Sequence, residues 1–320
     1  MQTMNAGPIQ ENAVAEVVRR QASSFKYLLY YLRNKPLGTF GFSIVVIMIL
    51  AAIFAPVIAP FSYQEQNYEA LRQAPNQTFF FGTDQFGRDI FSRVVHGARI
   101  SMMVGFFAVI IGTGAGAIIG LISGYFMGKV DAIVQRLVDM WMSFPDLILA
   151  LTIVAVFGNS IPNVILAIAA TILPRGVRII RASTIAIRET DYVMAAKAIG
   201  ASSPRIIQRH VMPNTVAPFL IIMSSMFGTA ILTEAGLSFL GLGISEPTPS
   251  WGRMLTGQAA QYLSTSPWIL IFPGVAISIT VMGFAFAGDA LRDILDPKLR
   301  GRGWCRIPKL LPAGQFPRRP

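Results

Sequence analysis

The sequence predicts an all-α polytopic membrane protein of about six spans, and three observations predict it. Hydrophobic residues make up 53% of the 320 and charged residues 13%, with a positive mean hydropathy, the composition of a membrane chain and not of a soluble domain. Several long runs carry no charge at all. The Lys and Arg residues gather in a few stretches, so the net charge of +11 is accounted for by membrane topology and requires no nucleic acid. Cys305 is the single cysteine, which excludes an internal disulfide framework.

In chain order, residues 1–36 are polar, and Val14 to Tyr31 has the makings of an amphipathic surface helix. No secretory signal is expected, because the first apolar run is too long for one. That run, 37–59, is free of charge and exceeds the about 20 residues that about 30 Å of hydrocarbon requires. Residues 61–98 read as a polar insert. The second span, 102–126, carries Gly112, Gly116, Gly120 and Gly124, with Gly128 continuing the spacing, and a smooth face of this kind lets another helix approach closely in lipid. Gly112-Thr-Gly-Ala-Gly116 superficially matches a dinucleotide-binding loop, but no strand precedes it. Gly124 to Lys129 lacks the spacing and the Ser or Thr of a phosphate loop.

The third span, 137–157, is entered through Asp131, Arg136 and Asp139, the last two spaced to pair on one helical face. Asp146 should lie about 10 Å deeper than Asp139 at helical rise. There it is either a carboxylate lining a pathway or an interhelical polar contact, and the second reading is preferred. The fourth span is 162–181, with Arg175, Arg178 and Arg181 at its inner end. Asp191 to Ile199 is helix-prone, Gly200 suits a left-handed closing residue, and Ser203 and Pro204 start a second short helix that Pro213 stops. Spans five and six are 216–235 and 268–287, and 301–320 reads as a flexible tail. Five Lys or Arg residues precede 37, seven lie in 175–209 and eight follow Asp289, against four in 61–99 and one, Arg253, in 244–267. Both termini and the 191–213 segment are therefore expected in the cytoplasm.

Asp191 to Asn214 resembles the cytoplasmic coupling loop of ABC-importer permeases, a pattern of Glu-Ala-Ala, three residues, Gly, then an apolar-Pro end. Ala195, Ala196, Gly200, Met212 and Pro213 match it, while Met194 replaces the family's Glu and His210 its isoleucine. Phe81-Gly-Thr-Asp-Gln-Phe-Gly-Arg-Asp-Ile-Phe-Ser-Arg93 is similar to a signature of the C-type subunit of dipeptide and oligopeptide importers. Glu234 to Gly243 with Pro249-Ser-Trp-Gly252, and Gly288 to Arg300, resemble further parts of that branch. The resemblance implies a type I importer fold in the bacterial inner membrane. It also implies a second permease completing a heterodimeric pore, two ABC ATPase subunits holding ATP and magnesium, and an extracytoplasmic binding protein that delivers substrate.

On that resemblance the ATPase-coupling residues are Asp191, Ala195, Ala196, Lys197, Gly200, Ala201, Arg205 and Pro213. Arg136, Asp139, Asp146 and Glu234 are polar candidates for the pathway or for interhelical contacts. Di- or oligopeptides are the expected cargo, and nickel or another small solute remains open. An ion-coupled carrier would need a relay of buried ionisable groups, and a non-transporting scaffold is the remaining competitor. No catalytic, metal or cofactor site is expected on this chain: its two histidines, His96 and His210, fall in different regions, and no metalloprotease or nucleophile motif is present.

Overall fold

The computed structural model describes residues 36–256 and 261–295. The expected amphipathic N-terminal helix and the tail 301–320 lie outside them. Among the described residues helices dominate, with one isolated antiparallel bridge, Thr83 to Asp89. Five helices among the described residues are long and apolar enough to cross a membrane, or six if one bent pair forms a single span.

The first helix, α1 (Pro36–Ile53), ends earlier than expected. Pro56 has no N–H to offer and crowds the carbonyl four residues back, so the chain breaks at Phe54 and resumes as α2 (Ala55–Ile58). Many of α1's large side chains are exposed, Leu37 and Ile47 among them, as a lipid-facing helix requires.

The insert then differs from the expectation in a way that matters. It is polar only up to Asp89. The carboxylate of Asp89 accepts the backbone N–H of Ser92 at 2.8 Å and caps α3 (Ile90–Phe126), which therefore starts twelve residues before the expected 102. Thirty-seven residues rise about 55 Å at 1.5 Å each, well beyond a hydrocarbon core. Arg93, His96 and Arg99 looked like loop charges. Arg93 is in fact buried, and its Nη1 donates to the carbonyl of Tyr63 at 3.1 Å.

The expected third span is two helices, α4 (Gly128–Met142) and α5 (Asp146–Phe157), bent by 87°. Pro145 sits at the N-cap of α5 and cannot continue α4. Asp146 is thus not one straight helix deeper than Asp139. The fourth, α6 (Ile161–Arg188), runs seven residues past the expected 181, so Arg175, Arg178 and Arg181 lie within it. Next come α7 (Asp191–Ala198), α8 (Ser203–Ile206), a π-helical turn over Ile207–Val211, α9 (Met212–Phe239), the short α10 (Trp251–Met254) and α11 (Trp268–Leu295).

The core is centred on α3. Val104, Ala108 and Val109 pack with Ile168 and Ile172 of α6, Val154 of α5 and Leu237 of α9. Nearer its start, Ile90, Val94 and Ala98 pack with Ile231, Ile277 and the fully buried Trp251.

Candidate functional site: the coupling element and the helix that carries it

Asp191 opens α7, where a carboxylate suits the positive end of the helix. The helix closes in a Schellman motif: the N–H of Gly200 donates to the Lys197 carbonyl at 3.0 Å and that of Ala201 to the Ala196 carbonyl at 3.1 Å. Gly200 has φ +83°, a left-handed conformation that a side chain would strain. Ser202, one residue earlier than expected, is the N-cap of α8, with Pro204 in its first turn.

Pro213 does not stop this segment. The N–H of Met212 reaches back five residues to the Ile207 carbonyl, and this wider turn leaves room for a ring that would otherwise strike the carbonyl of Arg209. The chain from Ser203 to Phe239 is continuous helix. The second half of the 191–213 segment is therefore one helix with the fifth span.

Val193 and Ala196 turn inward onto Tyr125 at the end of α3, together with Ile206 and Val211. Ala196 is consequently 7% exposed, turned onto Tyr125 and not outward. Ala195, Lys197, Gly200 and Arg205 are exposed, as is Pro213; Ala201 is half-buried. The ammonium of Lys197 stands 5.7 Å from the centre of the Tyr125 ring. The outer surface of α7 is apolar: Tyr192, Met194 and Ile199 are exposed, Ile199 by 86%. Sequence reading gave none of these three a docking role. The signal was available, because Val193 and Ala196 share one helical face while Tyr192, Ala195 and Ile199 share another.

Helix α6 carries this element and is held on two sides. On one, α3 presents its glycines. A Cβ on Gly112, Gly116, Gly120 or Gly124 would stand 2.6, 2.6, 2.5 or 2.8 Å from the carbonyl oxygens of Ala169, Leu173, Val177 and Arg181. The partner of the glycine face is thus a helix of the same chain. Gly128 falls past the end of α3 and takes no part.

On the other side three ion pairs tie α6 to the bent pair. Arg181 grips Asp131 through Nε at 2.5 Å and Nη2 at 2.6 Å. Arg178 meets Asp139 at 2.7 Å and Arg175 meets Asp146 at 2.5 Å. The expected Arg136–Asp139 pair does not form: Arg136 is exposed, without an ion pair among the described residues, because Asp139 faces the arginine row of α6. Each pair is partly exposed, with Asp139 and Arg178 at 58% and 48%. Arg181–Asp131 is the most sheltered of the three, at 30% and 13%, and removing one member of a sheltered pair costs more than removing both, since the survivor is left uncompensated. Arg181→Ala should therefore lower the melting temperature of the purified protein further than Asp131→Ala/Arg181→Ala does. Equal melting temperatures would show that an unpaired Asp131 carries no cost.

At the other end of α3, Glu234 is fully buried. Ser238 Oγ donates to its Oε1 at 2.8 Å and Ser101 Oγ to its Oε2 at 3.1 Å, while the Trp251 N–H donates to Ser101 Oγ at 3.2 Å. The Trp251 indole donates to the Val94 carbonyl at 2.9 Å. A Cβ on Gly252 would stand 2.5 Å from the Cα of Ala235. Glu234 thus pins the loop after α9 onto α3, and the Glu234–Gly243 and Pro249–Gly252 motifs are two halves of one fastening.

A family model described as the binding-protein-dependent transport system inner membrane component matches residues 116–301. Another, the N-terminal TM domain of oligopeptide transport permease C, matches 23–75. The dipeptide transport system permease protein DppC of Alkalihalophilus pseudofirmus is 44% identical over 92% of this chain and 95% of its own length. The glutathione transport system permease protein GsiD of Escherichia coli is 42% identical over 80% and 85%. A putative peptide transport system permease protein of Brucella suis is 41% identical over 82% and 88%. Among solved structures, an inward-facing MetNI methionine ABC transporter matches with TM-score 0.54 at 18% identity, over 64% of this chain and 96% of that one, which supports the fold. With a model spanning more than half its length and relatives of this identity, the chain belongs to the multi-pass permeases of binding-protein-dependent, inner-membrane transport systems.

Proposed function

We propose that this permease imports di- or oligopeptides as one half of a heterodimeric pore. Two ATPase subunits bind ATP and magnesium, and an extracytoplasmic binding protein delivers the peptide. The observation that carries the mechanism is the coupling element, an apolar knob of Tyr192, Met194 and Ile199 held by a closed turn. An exposed apolar patch at a helix tip suits a groove on a partner. The peptide substrate is supported by the relatives named for dipeptide and peptide transport.

ATP-driven closure of the ATPases would move α7 and α8 together. The continuity of α8 with α9, and the clamping of α6 between the glycine seam and the ion pairs, convey that motion to the spans. The result is a switch between inward- and outward-open states, driven by the difference in binding to each. Proteoliposomes containing all partners test this: labelled dipeptide should accumulate only with ATP and binding protein. Uptake driven by an ion gradient without ATP would replace this reading with a secondary carrier.

The same reading places the coupling element and both termini in the cytoplasm. In a Cys305→Ser background, single cysteines at Gln77 and Thr256 should react with an impermeant thiol reagent in intact cells. A cysteine at Ser202 should react only after permeabilisation. External labelling at Ser202 would invert the topology.

A further inference from the structure

We infer that the pocket at the head of α3 is a carboxylate-binding site that receives an acidic side chain of the extracytoplasmic binding protein, an inference that rests on the transporter reading above. The pocket lies between the insert, the start of α3, α10 and the start of α11, with a volume of about 330 Å³ counting the solvent at its open mouth. Three guanidinium groups, Arg88, Arg93 and Arg253, line it against two carboxylates, Asp84 and Glu246.

Asp84 is already engaged. Its Oδ1 accepts the N–H groups of Phe86 at 2.8 Å and Arg88 at 3.0 Å, and its Oδ2 accepts Arg88 Nε at 2.7 Å, with Arg93 Nε at 3.8 Å. Glu246 Oε2 stands 3.5 Å from Arg88 Nη1. Among the lining groups, three positive charges meet two negative ones, which leaves one positive charge over. Arg88 and Arg93 are 4% and 2% exposed and already engaged with Asp84 and the Tyr63 carbonyl, so Arg253 is the guanidinium left open to a ligand. The Nε of Arg253 is buried and has no hydrogen-bond partner among the described residues. The amide of Gln85, its Oε1 likewise buried and unpartnered, can turn to present its NH₂ group. A planar acceptor with one negative charge answers this inventory, and a carboxylate is one.

Two further observations select the source. The pocket is shallow and open at its mouth, so the body that bears the carboxyl group stays outside. From Arg93 to Tyr125, α3 rises about 48 Å, more than the about 30 Å of hydrocarbon. Tyr125 contacts the coupling element, so the pocket opens on the side opposite the ATPases, where the binding protein arrives.

The test uses the complete assembly in lipid nanodiscs and measures the binding-protein concentration that half-saturates stimulated ATP hydrolysis. Arg253→Ala should raise it about tenfold at low salt without changing the maximal rate, and Arg253→Lys should recover part of the loss. Thr256→Glu, which places a carboxylate on the lip of the pocket, should weaken docking in the same direction. Sodium acetate, against sodium chloride of equal ionic strength, should compete in the wild type and not in Arg253→Ala. Unchanged half-saturation in Arg253→Ala, with the assembly co-purifying intact, overturns the proposal: the arginines then serve only Asp84 and Glu246. A shift seen with a free-acid dipeptide and lost with its C-terminal amide overturns it in favour of the peptide as occupant. A wild-type assembly that binding protein does not stimulate fails at the transporter reading, before Arg253 enters, and the proposal falls with it.

Discussion

Gly120→Leu should abolish recovery of folded protein from the membrane, and Gly116→Leu should do the same. A Cβ at 120 would stand 2.5 Å from the Val177 carbonyl oxygen and 3.0 Å from the Arg181 nitrogen. One at 116 would stand 2.6 Å from the Leu173 carbonyl oxygen. These obstacles are backbone, so no rotamer relieves them and α3 and α6 must separate. Overpacking costs about 1–3 kcal/mol, and separation also loosens Val109 from Ile168 in the core. In lipid the helices have little besides this close packing to hold them. Gly114 provides the control, because nothing lies within 4 Å of its Cβ position. Gly114→Leu should elute from size exclusion in detergent as the parent does. A monodisperse Gly120→Leu protein with the parental melting temperature would remove the seam from the argument.

Gly200→Val should leave the protein folded in the membrane while dipeptide uptake falls by more than tenfold. At φ +83° a β-branched residue stores about 1–3 kcal/mol of backbone strain, and the Schellman turn that orients Ile199 opens to release it. The space around Gly200 is empty, so the damage stays in the turn and spares the core. Ile199→Asp should reproduce the loss without touching the turn, since Ile199 is exposed and its replacement alters only what a partner meets. Met194→Glu should be tolerated. ATP hydrolysis would continue in both defective variants but cease to respond to loaded binding protein. Parental uptake in Gly200→Val and Ile199→Asp together would reduce this segment to a connector.

Much of the fold was legible because lipid enforces a simple rule: apolar residues on every side of α1, α9 and α11 announce a span. The unread parts depend on partners far away in sequence. Arg93 looked like a loop charge since its acceptor, the Tyr63 carbonyl, lies thirty residues back. Arg136 and Asp139 satisfied the local spacing rule, yet Asp139 belongs to Arg178, thirty-nine residues on. Sequence reading runs a single span through Pro145, and the 87° turn beside it depends on where α6 holds Asp139 and Asp146. Pro213 signalled a stop that the π turn cancels. In the coupling element, the helix, the left-handed glycine and the second start were all readable from local chemistry. Which alanine faces inward was not, because that is decided by Tyr125.

The unbroken length of α3 has a thermodynamic corollary. One helix touches the arginine pocket at its first turn and the coupling element at its last, with no hinge between them. Linkage then obliges the two ends to be reciprocal: if ATPase docking changes the affinity for binding protein by some factor, binding protein changes the affinity for the ATPase by the same factor. A substitution that weakens one end should therefore shift the apparent constant at the other even where it removes no contact there.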